Sequence, residues 1–175
     1  GQVTITWTEP ATPTCTVTLN PSSVNQGSSS SLTYSSTNAT TLYINNIGYV
    51  LTTGGSTTVS PSSTTIYSCT AVGAGGTGTQ AASLTVHPSC TLDGTTVTHG
   101  SSATAYLAST VPYGSTCSSQ SRTCTDGTLS GSYAYASCSV SAAASCTLDG
   151  ETIAHGDSIT SYSSQAAPSG QLCSS

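Results

Sequence analysis

The sequence predicts an all-β protein, a β-sandwich followed by small disulfide-stapled β modules. Three observations carry that expectation. Threonine alternates with Val, Ile, Leu and Tyr over short runs, which puts threonine on the wet faces of half-buried strands. Turn residues recur between those runs at the short intervals typical of antiparallel sheets. One stretch is also written twice: residues 90–100 read CTLDGTTVTHG and residues 146–156 read CTLDGETIAHG. Cys146 follows Cys90, and Cys173 follows Cys117, by the same 56 residues (146 − 90 and 173 − 117), the unbroken register of a true repeat.

Gln2 to Thr8 opens the chain with Val3, Ile5 and Trp7 on one face and Gln2, Thr4, Thr6 and Thr8 on the other, the pattern of a half-buried strand. Glu9-Pro10 and Thr12-Pro13 then interrupt pairing, since proline has no N–H for a ladder. Residues 1–10 thus stand as an orphan strand. Three roles are open to it: the last strand of a preceding domain, an edge strand of the next, or a strand donated to another subunit.

Residues 11–88 form the sandwich. Cys15, Val17 and Leu19 share a face; Leu32 and Tyr34, Leu42 and Ile44, Tyr67, Cys69 and Ala71, then Leu84 and Val86 supply the inward positions of later strands. Asn20-Pro21, Asn25-Gln26-Gly27, Gly54-Gly55, Ser60-Pro61 and residues 73–78 mark the turns. Cys15 and Cys69, both inward by parity, are placed to bridge the first and penultimate strands.

The segments PTCTVTLNPSSVNQGSSSSLTYSSTNATTLYI and GGSTTVSPSSTTIYSCTAVGAGGTGTQAASLTV resemble the bacterial immunoglobulin-like domains of secreted cell-surface proteins. The marks are the N-P-S-S-V opening, S-S-T-N-A-T at the end of the second strand, T-V-S-P-S-S-T-T-I-Y, and the G-A-G-G hairpin. The likeness covers Pro13 to Pro88 and implies an immunoglobulin-like sandwich. Antibody domains are a poorer match, because no tryptophan stands at its centre.

Copy one of the repeat spans residues 89–143, and copy two, incomplete, residues 144–175. Asp93-Gly94, Asp126-Gly127 and Asp149-Gly150 lie between short β-prone runs and predict tight hairpins. In the last strand of copy one, Ala134, Ala136, Cys138 and Val140 fall on the expected inward face, with Tyr133 and Tyr135 outward as a candidate contact surface. Copy two has only Cys146 and Cys173, so the simplest pairing joins Cys146 to Cys173 and Cys90 to Cys117, leaving Cys124 with Cys138. The alternative lets Cys117 and Cys173 reach toward later cysteines, since spacing does not determine connectivity. The module is similar to cysteine-rich repeats appended to the same bacterial surface proteins, a resemblance that implies an extracellular location and tandem arrangement.

Composition narrows function. Eight cysteines without a CxxC pair, in a chain lacking Phe and Met, read as a disulfide framework made in an oxidising compartment. Arg122 is the sole cation against six acids, for a formal charge of −5, so no basic surface is available for nucleic acid or anionic membranes. The sequence has no transmembrane run or signal peptide and starts at Gly1, as expected of a processed or excerpted segment.

Recurring His and carboxylate sets are limited to His99 and His155 with Asp93 and Asp149, which read as turn-closing residues. As metal ligands they would lack donors, since the cysteines are committed to disulfides. No G-x-S-x-G elbow accompanies the many serines, and His87 sits in a proline-bounded linker. The expectation is therefore a non-enzymatic chain with no catalytic residues, metal or cofactor. It is read as an extracellular structural protein of a bacterial surface filament or stalk, with copies of itself as head-to-tail partners. Val3, Ile5 and Trp7 would be the donated strand. The second reading is an adhesive module that binds surface glycans through exposed tyrosines.

Overall fold

The structure, a computed structural model, describes residues 1–148 and 150–161. It is all-β, with no helix among the described residues, and carries three disulfides. The first unit has two sheets. One is antiparallel and orders β1 (Thr14–Asn20), β3 (Ser30–Thr37) and β6 (Gly55–Val59) as β1-β3-β6. The other comprises β2 (Ser23–Asn25), β4 (Thr41–Ile44), β5 (Gly48–Val50), β7 (Thr65–Gly73) and β8 (Gly76–His87), in the order β2-β8-β7-β4-β5. Between β1 and β2 the chain leaves one sheet for the other through the cis Asn20–Pro21 bond. Ser30, the buried polar residue at the start of β3, donates its hydroxyl to the Pro21 carbonyl at 2.6 Å.

The alternation read from the sequence decides which residues enter the core. Val17 and Leu32 from the first sheet meet Leu42, Ile44, Tyr67, Cys69, Ala71, Leu84 and Val86 from the second in one buried cluster, with Leu19 and Tyr34 packed at its margin. Cys15 bonds to Cys69 across that core, with Cα atoms 6.2 Å apart, as parity anticipated.

Residues 2–8 do not form the anticipated strand in the isolated chain: Val3, Ile5 and Trp7 are 84%, 88% and 77% exposed and have no strand partner. No neighbouring backbone accepts their ladder hydrogen bonds. Pro13 is fully buried, and the segment 10–13 lies so close over the β7–β8 hairpin that a Cβ on Gly75 would collide with the Pro10 and Ala11 carbonyls, and one on Gly78 with Pro13. The chain is held at that end of the unit by residues 10–13, and the residues before them are exposed and unpaired.

The following module is smaller. β9 (Cys90–Leu92) and β10 (Thr95–Val97) form a hairpin across Asp93-Gly94, whose φ values of 48° and 79° match a primed turn. β11 (Ser102–Tyr106), β13 (Ser119–Thr125) and β14 (Thr128–Leu129) form a second sheet, turned at Asp126-Gly127 with φ of 46° and 82°. β12 (Thr110–Val111) pairs in parallel with β15 (Ser139–Val140). Cys90, Leu92, Val97, Ala105 and Cys124 make up the buried core. In copy two, β16 (Cys146–Leu148) and β17 (Glu151–Ile153) repeat the first hairpin.

The disulfides here correct the pairing inferred from the repeat. Cys90 bonds to Cys124 and Cys117 to Cys138, with Cα separations of 5.7 and 6.0 Å. The cause is the path of the chain after β14. Arg122 donates to the carbonyls of Leu129, Ser130, Gly131 and Tyr133, gathering that loop around one guanidinium. The chain then bridges from Tyr135 to Tyr106 at the end of β11, so Cys138 arrives beside Cys117 and away from Cys124. Cys146 is exposed and has no disulfide partner among the described residues; Cys173, its expected partner, lies outside them.

Candidate functional site

The residues with the richest chemistry gather where the first unit meets the module. His87 ends β8, and the linker after it is bonded from both sides. Gln26 donates its N–H to the His87 carbonyl at 2.9 Å and accepts the Ser89 N–H on its side-chain oxygen at 3.2 Å. From the module, Gly127 donates its N–H to the Pro88 carbonyl at 3.1 Å. The Asp126-Gly127 turn therefore leans over the linker, and a left-handed aspartate carries its carboxylate to His87.

His87 Nδ1 donates to Asp126 Oδ1 at 2.6 Å, and His99 Nδ1 lies 3.3 Å from the same oxygen. His99 comes from the turn between β10 and β11, so the three residues belong to three separate segments. The Asp126 N–H donates to His99 Nδ1 at 3.0 Å, which leaves that nitrogen unprotonated and places the ring proton on Nε2. The two imidazoles stack with centroids 4.1 Å apart and planes inclined by 17°. The hydrogen bond from His87 is the main cause that lowers the Asp126 pKa from its ordinary value, and it outweighs the opposing desolvation.

The sequence linked His99 with Asp93; the structure separates them. Asp93 instead accepts the Ala136 N–H at 3.1 Å, tying the first hairpin to the end of the module. His155 meets the edge of Tyr113 with ring centroids 4.8 Å apart, and Asp149 lies outside the described residues. The residue 56 places after His87 is Ala143, so this histidine is peculiar to the first junction. The partnership with Asp126 leaves no trace in sequence spacing.

The inward and outward faces of residues 133–140 also need correction. Tyr133 packs against the module core, while Ala134 and Ala136 are exposed and Val140 is 49% exposed. The Tyr106–Tyr135 bridge and the Arg122 contacts turn this segment, so it does not run as one alternating strand. Tyr135 remains on the surface. An exposed tyrosine pair, Tyr43 and Tyr49, sits on β4 and β5 with rings edge to face at 5.3 Å.

Among the described residues no helix is long and apolar enough to cross a membrane. No protein-family model matches the chain, and neither a curated protein nor a solved structure matches it.

Proposed function

We infer that the chain is a non-catalytic extracellular structural protein, a subunit or segment of a bacterial surface filament or stalk. An immunoglobulin-like sandwich leads into tandem disulfide-stapled modules, and strand donation joins the subunits. The observation that carries this reading is the route of the chain. Residues 10–13 pass over the β7–β8 hairpin, whereas the module leaves from His87 at the far end of the 12-residue β8. At about 3.3 Å per residue these points lie roughly 40 Å apart, so successive units join end to end.

Three further features support it. The strand order β1-β3-β6 against β2-β8-β7-β4-β5, with the opening strands divided between the sheets, suits an immunoglobulin-like arrangement. Three disulfides suit an oxidising extracellular setting. Outer strands β5 and β6 each have one paired side within the chain, and such edges template a further strand. The exposed Val3, Ile5 and Trp7 have the alternation to fill one. Head-to-tail insertion of that kind propagates without closing.

Negative-stain electron microscopy of the intact chain should show filaments, and deletion of residues 1–9 should leave single particles. Filaments from the deleted chain would reject strand donation; an intact chain that stays monomeric at high concentration would reject the filament reading itself.

The exposed Tyr43–Tyr49 pair favours a second reading, an adhesive module that contacts sugar faces. On a glycan array the intact chain should then bind a defined set of glycans and lose it on Tyr49→Ala; no binding at any glycan removes this reading.

A further inference from the structure

We propose that His87, His99 and Asp126 form a three-donor site for a divalent transition metal, zinc foremost, which clamps the module onto the end of the first unit. One ligand atom from each of His87, His99 and Asp126 lies within 4.8 Å of the other two, and the Nδ1 atoms of both histidines face the same Asp126 oxygen. A tetrahedral zinc ion with bonds of about 2.0–2.1 Å holds its ligand atoms roughly 3.3–3.4 Å apart. The His99–Asp126 separation of 3.3 Å already has that value, and the His87–Asp126 separation of 2.6 Å has to open by a fraction of an ångström.

The donor chemistry selects the ion class. Two imidazole nitrogens and one carboxylate suit zinc, copper(II) or nickel(II), whereas calcium and magnesium require sites built from oxygen. With three protein ligands, the fourth position remains open to water or to a group from outside.

Loading the site asks for small rearrangements. His99 Nδ1 already presents a lone pair, now used by the Asp126 N–H. His87 must give up its Nδ1 proton to Nε2 or to solvent. The stacked rings must fan apart so that both lone pairs point at one ion. Their side chains are 28% and 25% exposed, which leaves space for that rotation on the solvent side. Because the ligands come from the end of β8 and from two turns of the module, one ion would add a coordinate cross-link between units already joined by the peptide linker, its hydrogen bonds, the His87–Asp126 hydrogen bond and the stacked rings. Ahead of copy two the position equivalent to His87 is Ala143, so this clamp is specific to the first junction.

Zinc chloride titrated into the intact, untagged chain, with calorimetric detection, tests the proposal. One equivalent should bind saturably, with calcium chloride giving no such heat. His155→Ala, which removes the remaining histidine, should leave binding unchanged. His87→Gln and His99→Gln, which retain a polar side chain at each position, should each weaken it by more than the roughly 10–100-fold typical of losing an outer-shell partner. Asp126→Asn should also weaken binding while keeping the turn, since asparagine tolerates positive φ. Circular dichroism of each variant verifies the fold independently. No saturable zinc binding by the intact chain, or binding that survives in a folded His87→Gln/His99→Gln double variant, would overturn the site.

Discussion

Replacing Cys90 and Cys124 together by serine is expected to unfold the module around residues 90–140 while the first unit stays folded. The buried core of this module comprises Cys90, Leu92, Val97, Ala105 and Cys124. Two aliphatic side chains, Leu92 and Val97, contribute about 1.5–3 kcal/mol each on burial. The Cys90–Cys124 bridge, closing 34 residues of separation, contributes about 4 kcal/mol in the chain-entropy model. The cross-link is therefore as large as the aliphatic burial it accompanies. The double variant also exchanges two buried sulfurs for hydroxyls, at about 1–3 kcal/mol for each one left without a partner. Hydrogen exchange should show protection lost over β9 to β14 and retained over β1 to β8. Equal protection throughout the variant would mean that the module does not depend on the bridge.

Leu42→Ala should destabilise the first unit by about 3 kcal/mol, within the range of roughly 2–5 kcal/mol measured for such core truncations. Leu42 is fully buried on β4, between Ala71 of β7 and Val50 of β5, and its side chain fills the space facing the other sheet. The Cys15–Cys69 bridge remains intact in this variant, so the loss reports packing alone. Val72→Ala on β7 is the control: Val72 is 42% exposed, and its truncation should change stability by less than about 0.5 kcal/mol. Urea unfolding of both variants measures the difference, and equal midpoints would show that Leu42 contributes no more to packing than the exposed Val72.

These two expectations differ because the units differ in what holds them. The first unit buries Leu32, Leu42, Ile44, Tyr67 and Leu84 in one cluster between its sheets, so losing its disulfide would weaken it without removing the core. The module has no side chain of that size inside except Leu92, and its loops are held by sulfur and by Arg122. A lone arginine that donates to four carbonyls is a structural cation, which gives the single positive charge of the chain a role in folding that composition alone did not suggest.

What the sequence by itself determined is local. The alternation that sends Val17, Leu32, Leu42, Ile44, Tyr67, Leu84 and Val86 inward is a consequence of side-chain direction along a strand, and the structure buries all of them. The Asp-Gly turns at 93–94 and 126–127 were legible because positive φ is a property of two residues and their immediate neighbours. What the tertiary structure alone decided is which distant segments meet. The repeat register showed that the copies are alike but carried no information on the partner of Cys117, which is Cys138, brought there as the chain after β14 passes the Arg122 contacts and the Tyr106–Tyr135 bridge. Tyr133 likewise turns toward the core, and His87 and His99 converge on Asp126 because the Asp126-Gly127 turn is bonded to the Pro88 carbonyl. Residues 2–8 mark the same boundary from the other side. Their alternation makes a strand available, but a strand exists only where another backbone accepts its hydrogen bonds, and that partner is set in three dimensions.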